Sequence, residues 1–318
     1  MIHSVDAIRR AVERLCRQAG ATEPEAALLA DVLIEAELRG RPTHGLNRLA
    51  SILNRLHSRG TGRPHIVEER GALVRIDGGD ESGYLAAAFA AETAARVALA
   101  EGHALVGVRR TRHCGMLGYY ATLASSRGVI ALLFADCAPL MAPWGGTRAV
   151  LGTNPVAAAF PAEPQPILVD MSTAAVTFGA LDRLRAAGKP APEGTVLDAA
   201  GRPTTDPAAA KTILPFGGPK GYALGLLVQL LAVTAGGAPV PADYADYGLL
   251  IVAMRPDLFC PREQYVRNVG ELVHRIKSSA PPDGAEVLIP GERAFREREA
   301  RLRNGIEVPA DLAALIGL

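Results

Sequence analysis

Cysteine is scarce in this sequence, which contains 4 cysteines among 318 residues. Cys16, Cys114, Cys137 and Cys260 lie far apart, and no Cys-x-x-Cys pair occurs. A disulfide framework or a zinc site would need more closely spaced cysteines. We therefore expect reduced thiols in a cytoplasmic protein.

Net charge and long hydrophobic runs are also nearly absent. The formal net charge of +1 gives no general reason to expect a nucleic-acid or membrane partner. The N-terminus lacks the apolar segment of a signal peptide. The most apolar run, residues 222–235, contains Gln229 and falls short of the ~20 residues that a membrane helix needs. These features predict a soluble intracellular protein.

Several familiar motifs are missing as well. No Gly-x-Gly-x-x-Gly follows a predicted strand, and the sequence has no P-loop, His-Glu-x-x-His or Gly-x-Ser-x-Gly. A Rossmann dinucleotide site and the common NTPase and hydrolase sites are therefore not indicated. The length is sufficient for two domains, and a hydrophobic content of 49% provides a sizeable core.

Residues 41–48 read Arg-Pro-Thr-His-Gly-Leu-Asn-Arg. Pro42 ends the preceding helix, and Thr43 is a favourable N-cap for a new one. In such a helix His44 and Arg48 would share a face, because they are four residues apart. Histidine can act as a general acid near neutral pH, and a guanidinium can hold a carboxylate with two parallel hydrogen bonds. The alternative is a capped surface helix with an incidental histidine.

Three later stretches carry further signals. A helix that starts after Gly115 would offer free N–H groups to a phosphate, and His113 is expected to form hydrogen bonds within its loop rather than to bind metal. Residues 170–173, Asp-Met-Ser-Thr, end a predicted strand and either point into a cleft or cap a helix. Residues 216–221 open a helix that is apolar on all sides and is therefore expected in the core.

Taken together, six stretches resemble the malate/L-lactate dehydrogenase-like oxidoreductases that lack a Rossmann fold. This group includes ureidoglycolate and sulfolactate dehydrogenases and the piperideine/pyrroline-2-carboxylate reductases. The matching stretches occur in family order and cover nearly the whole chain: residues 43–48, 113–120, 142–146, 152–155, 170–173 and 217–222.

The resemblance implies a mixed α/β fold with a largely antiparallel, non-Rossmann central sheet flanked by helices. It also implies a homodimer that binds NADPH or NADH. We expect an N-terminal helical region over residues 1–58. A discontinuous substrate and dimer domain is expected over 59–110 and 250–318, and a cofactor-binding domain over 111–249.

The resemblance also implies roles for individual residues. His44 matches the catalytic histidine and Thr43 the hydroxyl residue before it, while Arg48 and Thr153 match substrate-binding positions. The residues that match cofactor-binding positions are His113, Cys114, Gly115, Met116, Leu117, Asp170, Met171, Ser172, Lys220, Arg293 and Arg298.

Three departures from the family pattern leave the substrate class open. Ala180 stands where relatives carry Asp or Lys, Pro219 replaces a frequent histidine, and Thr43 replaces serine. The expected function is hydride transfer to or from C2 of a small 2-oxo or 2-hydroxy acid. The alternatives are a cyclic imine 2-carboxylate reductase and a catalytically impaired dinucleotide-binding protein.

Overall fold

The computed structural model describes residues 1–58, 62–242, 245–279, 281 and 284–318. The helices in these ranges are α1 (Val5–Gln18), α2 (Glu23–Leu38), α3 (Leu49–Ser58), α4 (Gly83–Glu101), α5 (Leu117–Ser125), α6 (Phe178–Ala186), α7 (Pro219–Thr234), α8 (Arg262–Lys277), α9 (Glu292–Asn304) and α10 (Ala310–Ile316). The strands are β1 (Ile2–His3), β2 (His65–Arg70), β3 (Leu73–Asp77), β4 (His103–Thr111), β5 (Ile130–Ala135), β6 (Val156–Phe160), β7 (Ile167–Met171), β8 (Val196–Leu197), β9 (Pro203–Thr204), β10 (Thr212–Ile213), β11 (Tyr247–Met254) and β12 (Ile306–Glu307).

The central sheet has the strand order β2-β3-β4-β11-β5-β6-β7. Its neighbouring strands are antiparallel except for β3 and β4, which are parallel. β11 lies in the middle of the sheet and is apolar along its whole length, as a strand covered on both faces must be. The predicted mixed α/β class with a largely antiparallel, non-Rossmann sheet is confirmed.

Helices cover both faces of the sheet around β4 and β11. Val106 and Val108 of β4 belong to the main core, in which the alanine-rich α4 packs closely against the sheet. Gly107 faces the other way, and a Cβ at this position would lie 3.4 Å from the Cα of Ala235, just beyond α7. Alternate residues of one strand therefore contact different helices.

The N-terminal region is helical, as predicted. The Thr22 backbone N–H donates to the Glu25 side chain at 2.8 Å, which forms part of a capping box at the start of α2. α2 ends at Leu38, and Gly40 follows with φ of 70°. The C-terminal turns of α2 bury the carboxylates of Glu35 and Glu37.

A smaller core lies apart from the main one. It buries Met141, Val196 and Ile213 between a loop and the short strands β8 to β10. Leu181 of α6 belongs to this cluster and anchors α6 within it.

The predicted domain boundaries do not coincide with breaks in the sheet. The boundaries at 110/111 and 249/250 fall inside β4 and β11, which pair with each other. The boundary at 58/59 adjoins residues 59–61, which lie outside the described residues. The division into domains stays a prediction.

The expectation that α7 is buried in the core is wrong. One side packs against β5 and β11, but Leu226, Leu227, Leu230 and Val233 are exposed by 37%, 47%, 58% and 37%. The helix lies on an outer face of the sheet, so only part of its apolar surface is covered by the residues that the structure describes. Within the described ranges, no helix is both long and apolar enough to cross a membrane.

Candidate active site

A cavity of about 1130 Å³ opens beside the segment between α2 and α3. Its walls also include the start of α4, the 111–117 loop, the ends of β5 and β7, the start of α6 and the start of β11. Most of the predicted site residues line this cavity: Thr43, His44, Arg48, His113, Cys114, Gly115, Met116, Leu117, Thr153, Asp170, Met171 and Ser172.

The segment that carries His44 and Arg48 is not the predicted α-helix. It forms two 3₁₀ turns, Pro42–His44 and Leu46–Arg48, and α3 begins only at Leu49. The Arg48 N–H donates to the Gly45 carbonyl at 2.9 Å, while the Leu46 N–H leaves the segment and donates to Glu37. Thr43 is therefore not the N-cap of an α-helix, because Pro42 opens the first turn and Gly45 interrupts the run.

Arg48 ties the two turns together. Its Nε donates to the Thr43 carbonyl at 2.8 Å, which leaves the terminal nitrogens of the guanidinium available on the cavity side. Among the residues that the structure describes, no carboxylate forms an ion pair with Arg48. His44 and Arg48 still line the same cavity, although the backbone that carries them is not the predicted α-helix.

His44 lies beside His113 on the cavity wall, with ring centroids 5.8 Å apart. Burial, together with the positive charges of Arg48 and Arg41, lowers the pKa of His44 to about 4. Burial also lowers the pKa of His113 to about 3, with added contributions from Arg48 and His44. Both imidazoles are therefore neutral near pH 7 in the free protein.

The hydrogen bonds of His113 define its tautomer. Its Nδ1 accepts from the Gly115 backbone N–H at 3.2 Å and lies 3.4 Å from the hydroxyl of Tyr84. The proton of the neutral ring is thus on Nε2. His113 forms hydrogen bonds within its loop, as predicted. In contrast, His44 Nδ1 is buried without a hydrogen-bond partner in the part of the chain that the structure describes.

Asp170, at the end of β7, contacts the start of α5. A Cβ on Gly118 would lie 2.6 Å from an Asp170 carboxylate oxygen, so glycine is required for this approach. Burial raises the pKa of Asp170, while Arg41 and the Gly118 N–H lower it. The start of α5 was predicted to bind a phosphate. At Gly118 it instead contacts the Asp170 carboxylate.

Of the two readings for residues 170–173, the cleft is confirmed and the helix cap is wrong. Asp170 and Ser172 line the cavity, whereas α6 starts only at Phe178 and is capped by Thr177. Ser172 Oγ donates to the Thr153 carbonyl at 3.0 Å, which connects two of the predicted loops.

Thr153 is fixed by a neighbouring thiol. Its backbone N–H lies 3.2 Å from Cys137 Sγ, and its hydroxyl lies 3.5 Å from the same sulfur. Burial raises the pKa of Cys137, so the sulfur is protonated near neutral pH. Asp136 is the next residue in the chain before Cys137. Burial raises the pKa of Asp136 to about 7, although hydrogen bonds from the Gly248 N–H and the Gln229 amide act to lower it.

Sequence reasoning missed several cavity residues. Arg41 and Arg183 line the cavity and have no ion-pair partner among the described residues. Arg112 also lines it and is paired with Asp80 at 2.8 Å. Arg41 could have been found from its place in the 41–48 stretch, but Arg183 follows no motif and is brought to the cavity only by the packing of α6.

Three predicted cofactor residues do not line the cavity. Lys220 is exposed at the start of α7, and Arg293 is exposed on α9. Arg298 pairs with Glu35 at 2.8 Å beside a separate cavity of about 300 Å³. The structure therefore does not bring these three side chains together with His44.

Ala180 lies in the first turn of α6, where its N–H donates to the Thr177 hydroxyl at 3.2 Å. The adjacent Gly179 contacts the opposite wall: a Cβ there would lie 2.6 Å from Thr43 Cγ2. α6 therefore closes against the residue before His44.

The cavity fits a dinucleotide and a small acid. Its volume exceeds the ~300–1,000 Å³ typical of pockets for drug-sized ligands. The cationic lining suits phosphates and carboxylates, and the orphaned Nδ1 of His44 marks a polar group that awaits a partner.

Known proteins resemble this chain in sequence and in fold. The sequence profile of the family described as "Malate/L-lactate dehydrogenase" matches residues 3–316. An L-sulfolactate dehydrogenase of Methanocaldococcus jannaschii is 37% identical over 308 residues, covering 92% of this chain and 89% of the relative. A ureidoglycolate dehydrogenase (NAD(+)) of Escherichia coli strain K12 is 31% identical and covers 97% of this chain and 93% of the relative.

Among solved structures, the delta1-piperideine-2-carboxylate reductase of Pseudomonas syringae pathovar tomato superposes with a TM-score of 0.90. It is 26% identical, and the match covers 99% of this chain and 98% of that protein.

Proposed function

The chain belongs to the malate/L-lactate dehydrogenase family, and from this membership we propose that it transfers hydride between a nicotinamide dinucleotide and C2 of a small 2-oxo or 2-hydroxy acid. The observation that carries the proposal is the convergence of His44, Arg48 and the 113–117 loop on one cavity. In this proposal His44 exchanges the proton, Arg48 binds the substrate carboxylate, and the 113–117 loop binds the cofactor, and all three line the same cavity.

NADH or NADPH supplies the hydride when it is bound in this cavity. The residues that would hold it are the 113–117 loop with Asp170, Met171 and Ser172, all of which line the cavity beside His44. The unpaired guanidinium of Arg41 adds positive potential that attracts phosphate. Lys220, Arg293 and Arg298 would contact only a part of the dinucleotide that extends beyond the cavity lining.

His44 moves the proton. In the reductive direction its imidazolium donates to the substrate oxygen, and in the oxidative direction its neutral ring accepts that proton. Since burial and Arg48 lower its pKa to about 4, the accepting form predominates at pH 7 in the free protein. A bound carboxylate beside the ring would raise this pKa and favour the donating form.

Arg48 positions the substrate. Its free terminal nitrogens can hold a carboxylate with two parallel hydrogen bonds, which fixes C2 relative to His44. Arg41 and Arg183 offer further positive charge, which favours a substrate with a second acidic group. Thr153, held by Cys137 and Ser172, is a second substrate contact in this proposal.

A cyclic imine 2-carboxylate is the second candidate substrate class. It is favoured by the fold shared with a piperideine-2-carboxylate reductase. Ala180 does not discriminate, because it lacks the charged side chain of either class. Steady-state assays with pyruvate, oxaloacetate and sulfopyruvate against piperideine-2-carboxylate and pyrroline-2-carboxylate test the two classes directly. Dinucleotide binding without turnover of any of them would instead support the catalytically impaired binding protein.

A homodimer in the cytoplasm completes the proposal. The exposed leucines of α7 form an apolar face that has no partner within the described chain and suits a second copy. The cytoplasmic location is supported by the sparse, unpaired cysteines.

A further inference from the structure

The backbone of the His44 segment depends on a group outside it. The two 3₁₀ turns are joined at Gly45, which has φ of −94° and ψ of −137°. The His44 N–H and the Arg48 N–H find carbonyl partners inside the segment, at Arg41 and Gly45. The Leu46 N–H lies at the junction and donates instead to Glu37 Oε1 at 2.7 Å.

The Glu37 carboxylate also fills the space beside the junction. A Cβ on Gly45 would lie 2.3 Å from Glu37 Oε1 and 2.7 Å from its carboxyl carbon. The side chain of Glu37 therefore packs where a side chain at position 45 would otherwise project. Only 5% of Glu37 is exposed, so its carboxylate is shielded from bulk solvent.

Glu37 is itself held from two directions. It lies in the last turn of the buried helix α2, and its carbonyl accepts a hydrogen bond from Arg301 of α9. Burial raises the pKa of its carboxyl, whereas the Leu46 N–H and the charge of Arg301 lower it. The acceptor oxygen is thus fixed in space by rigid helices on both sides.

The His44 ring is not oriented by a hydrogen bond at Nδ1 from any described residue. Catalytic histidines are commonly oriented by a partner on the second ring nitrogen. Here Nδ1 of His44 has no hydrogen-bond partner among the described residues. The backbone of the segment, which is held at Leu46, therefore contributes to the position of the ring together with its packing beside His113.

We propose that Glu37 is a positioning residue for the reaction, which holds the two turns so that His44 and Arg48 face the substrate together. The inference rests on the proposed function. It differs from the roles implied by the family resemblance, because Glu37 does not line the cavity and acts only through the backbone of the segment.

The test compares Glu37→Ala with Glu37→Gln, since the glutamine carbonyl can still accept from the Leu46 N–H. We measure the dissociation constant of NADH by its fluorescence and then kcat per dinucleotide-binding site. Misplacement of reacting groups by ~1 Å can cost ~10²-fold in rate. We expect Glu37→Ala to lose at least ~30-fold in kcat and Glu37→Gln to stay within ~3-fold of wild type.

A structural role alone would give a different result. Lower stability reduces the number of binding sites but leaves kcat per site unchanged, so Glu37→Ala within ~3-fold of wild type overturns the inference. Equal losses in the Ala and Gln variants overturn it too. The matched control is Glu23→Ala, which removes another α2 carboxylate, an exposed one at the opposite end of the helix. This control should keep kcat per site.

Gly45→Ala tests the same contact if Glu37→Ala does not fold. Its new methyl group would displace the carboxylate from the opposite side, so we expect a similar loss of kcat. If wild type turns over no substrate, the proposed function fails separately. Crystal structures of the same variants then decide the inference: the His44–His113 centroid distance of 5.8 Å should persist in the Gln variant and change in the Ala variants.

Discussion

His44 and His113 lie with their ring centroids 5.8 Å apart on one cavity, yet only His113 has its Nδ1 occupied by hydrogen bonds. The two rings therefore differ in what they can do. His113 is held in its loop by these hydrogen bonds, whereas the Nδ1 of His44 has no hydrogen-bond partner among the described residues.

His44→Ala should separate catalysis from cofactor binding. We expect turnover to fall by ~10²–10⁴, which is the usual contribution of a positioned acid or base. The dissociation constant of the dinucleotide should change little, while His113→Ala should weaken dinucleotide binding. Retention of a tenth of wild-type turnover by His44→Ala would remove the acid–base role.

Arg48→Lys should raise KM for every carboxylate substrate. Lysine keeps the charge but cannot form two parallel hydrogen bonds to a planar carboxylate. A hydrogen bond to a charged group contributes ~1.5–3 kcal/mol, so kcat/KM should fall by roughly ten- to a hundredfold. Initial-rate kinetics measure this, and an unchanged KM for all such substrates would take Arg48 out of the site.

Acid should destabilise the protein through His44 and His113, the two half-buried histidines that line the cavity. Their folded-state pKa values of about 4 and about 3 lie below the ordinary value of 6.5, so the unfolded state binds more protons. Stability is thus complete above pH ~6.5 and falls on acidification toward pH ~4, by at most ~1.4 kcal/mol per pH unit for each histidine. The free energy of unfolding, measured with urea at several pH values in this range, should depend less steeply on pH for His113→Gln than for wild type. The exposed His57→Gln serves as control and should keep the wild-type slope.

Gly179→Ala should lower activity and stability, although helix propensity alone would favour alanine at this position of α6. Alanine favours an α-helix over glycine by ~1 kcal/mol, but its Cβ would lie 2.6 Å from Thr43 Cγ2. We expect lower kcat/KM and a lower Tm. The double variant with Thr43→Ser should recover most of the loss, because serine lacks that methyl group. Additive losses in the double variant would contradict the contact.

Glutamate at Leu227 and Leu230 should dissociate the proposed dimer. These side chains are exposed by 47% and 58% in the single chain, and charges would be costly in an apolar interface. Light scattering after gel filtration should report a monomer for the double variant and a dimer for wild type. Arg10→Glu on α1 changes charge elsewhere and should remain dimeric. A monomeric wild type would reject the proposal.

Local patterns predicted most of the elements that build the site. The capping pair Thr22 and Glu25 lies at the start of α2, and β4 and β11 coincide with apolar runs, so signals within a few neighbouring residues suffice for these elements. The two 3₁₀ turns were missed, since their form depends on Glu37 in another helix. The exposure of Leu230 was not predicted either. An apolar helix is expected to pack against something, but its sequence does not show whether the same chain or another one covers it. Arg183 reaches the cavity through tertiary packing that no local motif encodes.

The most direct test of the central claim uses reduced dinucleotide that carries deuterium at the transferable C4 position. Wild-type protein is incubated with each 2-oxo acid and cyclic imine carboxylate, and the product is analysed by mass spectrometry. We predict that at least one product gains deuterium at C2 and that His44→Ala slows this transfer by ~10²-fold or more. Dinucleotide that binds but transfers no deuterium to any of these substrates would contradict the account.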